Sequence, residues 1–196
     1  MTITPKILAF AGSTRTDSFN KKLIKVAIAA SKTAGAEVTC LDLRDLPMPI
    51  YDGDLEVAQG LPPNARKFKD LLLTHQGFFI SAPEYNSSIS GVLKNAIDWA
   101  SRPVKGEAIL ACFTEKFAGL MSASPGALGG LRGLVTLRSI LENIGTHVIP
   151  HQVAIPKAHE AFDEKGNLKD SKQQASIEKI GIQLVHLLKK YHEHIS

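Results

Sequence analysis

The chain has 196 residues, 44% hydrophobic and 21% charged, with 23 Lys+Arg against 19 Asp+Glu and a formal net charge of +4. That composition is of an ordinary globule long enough to bury a substantial core, read as one domain over 1–196. The charges are scattered, with no basic stripe interleaved with aromatics, which argues against nucleic acid as a partner. No apolar run is long enough to span a membrane, and the apolar start is too short for a signal peptide. Cytoplasmic localisation follows as the default.

In chain order, residues 6–11 read as a short buried strand. An amphipathic helix follows the turn 12–20, with Leu23, Ile24, Ala27, Ile28 and Ala30 at helical spacing and Lys21, Lys22, Lys25 and Lys32 opposite. Gly35 suits its C-terminal cap. A second strand covers 37–42. The segment 44–63, with Pro47, Pro49, Gly53, Gly60, Pro62 and Pro63, reads as a long irregular loop. Its stretch 46–52 is too apolar for a free linker and is expected to pack over something. A helix over about 63–75 leads to a nearly all-apolar third strand at 77–82, as expected of a strand covered on both faces. A polar turn at 83–90 precedes a helix at 91–101. The fourth strand (117–122), a glycine-rich turn (124–130), a helix from Leu131 to Ile144, a fifth strand (146–149) and a closing helix (171–191) complete the chain.

Alternating strands and helices predict a parallel α/β sheet. Five strands suit the doubly wound, flavodoxin-like order 2-1-3-4-5, with helices on both faces and a crevice at the switch point between strands 1 and 3. That topology predicts one site built from residues 12–20, 83–90 and 122–130. In the first of these loops, hydroxyls (Ser13, Thr14, Thr16, Ser18), the Asn20 amide and the Arg15 guanidinium stand beside a helix N-terminus. Such a terminus leaves backbone N–H groups unpaired and favours negative charge, so the loop reads as a phosphate cradle. The alternative is an ordinary turn whose Ser and Asp residues cap a helix. The loop has one glycine, Gly12, and lacks both the dinucleotide fingerprint and the nucleotide-hydrolase loop. A terminal monophosphate held by side chains and backbone fits, and flavin mononucleotide (FMN) matches that description.

The second loop reads Pro83-Glu84-Tyr85-Asn86-Ser87-Ser88-Ile89-Ser90-Gly91-Val92-Leu93-Lys94-Asn95-Ala96-Ile97-Asp98-Trp99. With Gly12-Ser13-x-Arg15-x-x-Ser18-x-Asn20 and Ser124-x-Gly126-x-x-Gly129-Gly130, it resembles the NADPH-dependent FMN reductase family, from residue 6 through the last helix. The resemblance implies a flavodoxin-like fold and a bound FMN. It further implies NADPH or NADH as hydride donor and a small-molecule acceptor such as a quinone, chromate or an azo compound. It carries Ser13, Arg15, Ser18 and Asn20, with Phe19 between them, onto the FMN phosphate site. Pro83, Glu84, Tyr85 and Asn86 fall on the loop along the isoalloxazine ring, and Ser124 and Gly126 on the loop flanking ring and ribityl chain. A homodimer or homotetramer is also implied, in keeping with the wide apolar arcs of the helices at 92–100 and 131–144. The flavin would carry the redox chemistry, so no side chain is assigned as catalytic acid or base. A flavodoxin-type electron carrier and a flavin-binding sensor are the competing readings; the high pI, about 9.0, and Arg15 weigh against the carrier.

The remaining residues carry plainer expectations. Cys40 and Cys112 lack metal-ligand spacing and read as core residues in a reducing compartment. Glu84 reads as a structural, hydrogen-bonding residue and Trp99 as core or interface. Arg132 and Arg138 read as a solvated face, and His192 and His194 as a solvated tail without a metal.

Overall fold

The computed structural model describes residues 3–193. Its main sheet is parallel and has five strands: β1 (Lys6–Ala11), β2 (Glu37–Asp42), β3 (Gly77–Ser81), β6 (Phe117–Ala123) and β7 (His147–Ile155). Their spatial order is β2-β1-β3-β6-β7, which is the expected flavodoxin-like order 2-1-3-4-5 once a small hairpin is set aside. That hairpin, β4 (Glu84–Tyr85) with β5 (Ser88–Ile89), occupies the segment read as a polar turn. Asn86 and Ser87 close it with φ of 50° and 65°, the left-handed pair that a two-residue hairpin turn requires.

Because successive strand residues face opposite ways, each strand feeds two separate cores. Ile7, Ala9, Phe79 and Met121 pack with Leu23, Ala27, Ile177, Ile180 and Leu184 of α1 (Phe19–Thr33) and α7 (Ser171–Glu193). Leu8, Phe10, Phe78, Ile80 and Leu120 pack on the other face, against α3 (Pro63–Thr74), α4 (Gly91–Ala100) and α5 (Leu131–Asn143). Burial on both faces explains the unbroken apolar runs of β3 and β6.

Several expectations are corrected. The segment 44–63 is not wholly irregular: α2 (Gly53–Gln59) forms within it, capped by the Asp52 carboxylate accepting from the Asp54 N–H at 2.8 Å. Residues 46–52 do pack, onto α4. Pro49 O accepts from both Trp99 Nε1 (2.8 Å) and Asn95 Nδ2 (2.9 Å), and Tyr51 meets Trp99 edge-on at 5.0 Å. Trp99 is thus a fully buried core residue. Cys40, on edge strand β2, is exposed, whereas Cys112 is buried. Arg138 is no solvated face; it donates to the carbonyls of Val148 and Ile149 and to Gln152. The fifth sheet strand extends to Ile155, past Pro150, as edge strands allow. Gly35 follows the last helical turn of α1 with φ +90°, as expected of a terminating glycine. The remaining short helix is α6 (Ala158–Ala161). His194 lies outside the described residues; His192 packs edge-on against Tyr191. No helix of the described residues is long and apolar enough to cross a membrane.

Candidate active site

Three loops leave the same edge of the sheet, from the C-terminal ends of β1, β3 and β6, at the switch point where the chain turns to opposite faces. Backbone bonds extend the ladders into them: Gly12 N–H to Ser81 O (2.9 Å), Ala82 N–H to Met121 O (2.9 Å) and Ser124 N–H to Ile155 O (3.1 Å). Between them lies a cleft lined by Ser13, Arg15, Ser18, Phe19, Asn20, Pro83, Glu84, Tyr85, Ala123, Ser124 and Pro125. Every residue that the resemblance placed on the cofactor site lines it except Asn86 and Gly126, which sit in the same loops; Thr14 and Thr16, read as further donors of the cradle, do not line it. Ala123 and Pro125 were not singled out, being apolar neighbours with no chemistry to mark them.

Side chains lock these loops to each other. Asn20, 3% exposed, donates Nδ2–H to Ala123 O (2.9 Å), while its Oδ1 accepts from Ala123 N–H (3.0 Å) and from Ser81 Oγ (2.9 Å). One amide therefore ties the start of α1 to the ends of β3 and β6. Ser90 caps α4, accepting from Leu93 N–H, and donates its hydroxyl to Gly12 O (2.6 Å). A Cβ at Gly12 would come within 2.9 Å of Leu93, so the first loop and α4 meet only because that residue is glycine.

Glu84 bridges the second loop to the first turn of α5, just past the third loop. Its carboxylate accepts from the N–H groups of Arg132 (3.0 Å) and Gly133 (3.2 Å) and pairs with the Arg132 guanidinium at 2.6 Å. Burial would raise its pKa, but the Arg132 contacts and the Gly133 amide outweigh that and hold it below the usual carboxylate range. The anion-attracting N-terminus of α5 is thereby occupied by the chain's own Glu84. Arg132 is exposed, as expected of a solvated face, but it also pairs with Glu84, and the structural reading of Glu84 stands. Upstream, Gly129 and Gly130 have φ of +63° and +94°; a Cβ on Gly130 would lie 2.0 Å from Ser122 Oγ. Only glycine permits this descent onto the sheet.

The N-terminus of α1 differs from that of α5. Ser18 occupies its N-cap but makes no side-chain capping hydrogen bond, and the first turn holds no acidic residue. The alternative reading of the loop, a turn whose hydroxyls cap a helix, is thus not what Ser18 does. Ser18 is 4% exposed and Ser13 5%, and both line the cleft. Asp17 pairs with Lys22 at 2.5 Å, and Arg15 lines the cleft. Hydroxyls, a guanidinium and free helix amides converge at this end, a donor set that fits a phosphate monoester. The other end, lined by Pro83, Tyr85, Ser124 and Pro125, is less polar, and Tyr85 is half exposed.

Comparison with known proteins agrees with this geometry. The family model of NADPH-dependent FMN reductase matches residues 5–160. The chain is 34% identical over 174 residues to an NAD(P)H-dependent FMN reductase of Pseudomonas aeruginosa, covering 88% of this chain and 89% of that protein. It is 32% identical over 184 residues to the NADPH:quinone oxidoreductase of Arabidopsis thaliana, covering 91% and 89%. Among solved structures, the flavoenzyme NAD(P)H:(acceptor) oxidoreductase FerB from Paracoccus denitrificans superposes with a TM-score of 0.80 at 28% identity, over 95% of this chain and 98% of that one. With the match spanning all three loops of the cleft, the chain belongs to the NADPH-dependent FMN reductase family.

Proposed function

We propose that the cleft binds FMN and that the chain, as a single domain, is an NAD(P)H-dependent reductase of quinones or other small acceptors, with chromate and azo compounds in the same class. The observation that carries the reading is the donor-rich, uncapped start of α1 facing a less polar lining across the switch point. Ser13, Arg15 and Ser18, with the free amides of the first turn of α1, hold the phosphate. Phe19 and Asn20 form the wall beneath it. Pro83, Glu84, Tyr85 and Asn86 on one side, and Ser124 and Gly126 on the other, flank the ring. When bound, FMN supplies the redox chemistry, taking a hydride from NADPH or NADH and reducing the acceptor.

The protein contributes position and electrostatics. Glu84, the carboxylate of the cleft, is ionised and committed to α5, so it is a positioning group rather than a proton donor. Its hydrogen bonds hold the second loop against the first turn of α5. Tyr85, exposed at the hairpin, lines the substrate opening. Beside it Leu128, Leu131 and Val135 are 51%, 43% and 60% exposed, apolar area that supports a homodimer or homotetramer assembled around the cleft. Two free thiols fit a reducing, cytoplasmic setting.

The test is an absorbance spectrum after FMN addition and desalting, followed by NADPH without oxygen. Retained flavin bands that bleach support the reductase and lead to an acceptor screen. Retained bands that do not bleach point to an electron carrier, and loss of all flavin refutes the cofactor assignment. Light scattering on the eluting protein reads the oligomeric state.

A further inference from the structure

We propose that Arg44, on the turn after edge strand β2 and outside the cleft lining, is a positioning residue for the FMN phosphate. It would act by gripping the phosphate loop from behind. The inference rests on the reading of the cleft as an FMN site.

The guanidinium is a fork set on Thr14 and Thr16, either side of Arg15. Nε donates to Thr14 O at 2.7 Å, a second nitrogen donates to the same carbonyl, and Nη1 donates to Thr16 Oγ1 at 2.7 Å. Among the described residues, every hydrogen bond joining 14–16 to another element comes from this side chain. Thr14, Arg15 and Thr16 are all exposed, so no core packing holds them instead. The fork stands on a firm base. Arg44 N–H donates to Asp42 Oδ1 at 3.0 Å, Asp42 pairs with Lys21 of α1 at 2.5 Å, and Leu43 beside it is buried.

Peptide geometry explains why the grip matters for the ligand. Thr14 C=O and Arg15 N–H belong to one planar trans unit, so they point in opposite directions. Drawing the carbonyl out towards Arg44 turns the amide the other way. The Arg15 N–H does lie against Ser13 Oγ, at 3.3 Å, and Ser13 lines the cleft. Without the fork the unit could rotate and turn a carbonyl oxygen towards the phosphate, replacing a donor with a repelling acceptor. The same fork aims the backbone from which the Arg15 side chain leaves.

The experiment measures affinity of flavin-free protein for FMN and for riboflavin, which lacks the phosphate, by quenching of flavin fluorescence at one fixed salt concentration. Arg44→Met is expected to weaken FMN about tenfold, the scale of one or two lost hydrogen bonds, with riboflavin within about twofold of wild type. Arg44→Lys retains the charge but not the planar fork and is expected to recover less than half of the loss on a logarithmic scale. Thr16→Val removes one arm of the grip while keeping Arg44, and a weakening of about two- to threefold is expected. Unchanged FMN affinity in Arg44→Met overturns the proposal. So does an equal loss for both flavins, which would indicate general damage to the cleft, and so does full recovery by Arg44→Lys, which would indicate charge alone. Arg15→Ala separates this from the parent reading. If it lowers FMN affinity selectively while Arg44→Met does not, only the Arg44 role falls. If neither variant distinguishes FMN from riboflavin, the phosphate assignment falls with it.

Discussion

Replacing Asn20 by Ala tests how the cleft is held together. The amide makes three hydrogen bonds of 2.9–3.0 Å, to the N–H and C=O of Ala123 and to the hydroxyl of Ser81, which is fully buried. Removing it leaves three polar groups at the junction of α1, β3 and β6 without this partner. A buried unsatisfied group costs roughly 1–3 kcal/mol. The Ser81 hydroxyl can turn, and the vacated space opens on the cleft where water can enter, so the sum is reduced to about 2–4 kcal/mol. At roughly 2–4 °C per kcal/mol for a chain of this size, the melting temperature should fall on the order of 10 °C. Urea denaturation of the flavin-free protein, followed by fluorescence of the buried and sole tryptophan, Trp99, gives the number directly. Ser81→Ala combined with Asn20→Ala should cost less than the two singles added together, because they share a bond. A loss below about 1 kcal/mol for Asn20→Ala, or strict additivity with Ser81→Ala, would refute the view that this amide is the tie between the loops.

Further outcomes follow from particular contacts. Glu84→Ala removes the acceptor for the Arg132 and Gly133 amides and should destabilise by roughly 1–3 kcal/mol in thermal melts; no change would mean that water replaces the carboxylate at no cost. Because the Glu84 pKa is held down in the fold, its contribution should be complete above the unfolded carboxylate range and disappear as pH falls through the lower folded value. His75 is nine-tenths buried, its Nδ1–H donating to Leu71 O and its Nε2 hydrogen-bonded to Thr39 Oγ1, and burial pushes its pKa below the ordinary value of 6.5. The unfolded chain therefore binds the extra proton first, so stability should decline as pH drops below about 6.5, and His75→Gln should flatten that part of the profile. Ser87 holds φ of 65°, a strained value for a residue with a Cβ; Ser87→Gly should stabilise by about 0.5–1 kcal/mol, relief of left-handed strain less glycine's greater unfolded entropy. A lower melting temperature for Ser87→Gly would show that the hydroxyl matters more than the backbone.

The sheet order and the three-loop crevice were legible in the chain because they depend on short-range signals: apolar runs of strand length, helical spacing, and polar turns that interrupt them. Residue type and position singled out the donors of the first loop as a group, Thr14 and Thr16 included, and the resemblance narrowed them to Ser13, Arg15, Ser18 and Asn20, all of which line the cleft. What could not be read is how those donors are held. Arg44 sits in a stretch of 44–63 that carried no chemical signal; its meaning comes from the 28 and 30 residues separating it from Thr16 and Thr14. Arg132 looked like an ordinary exposed arginine until the fold brought Glu84, 48 residues away, against the first turn of α5. Cys40 shows the reverse case: an apolar strand pattern implies burial, but only the placement of β2 at the sheet edge left its thiol open. By itself the sequence determined the main strands and helices, their order and the donor types that the first loop presents. Tertiary structure alone decided which long-range hydrogen bonds fix that loop, because a side chain's partner across the fold depends on where the backbone has carried both groups.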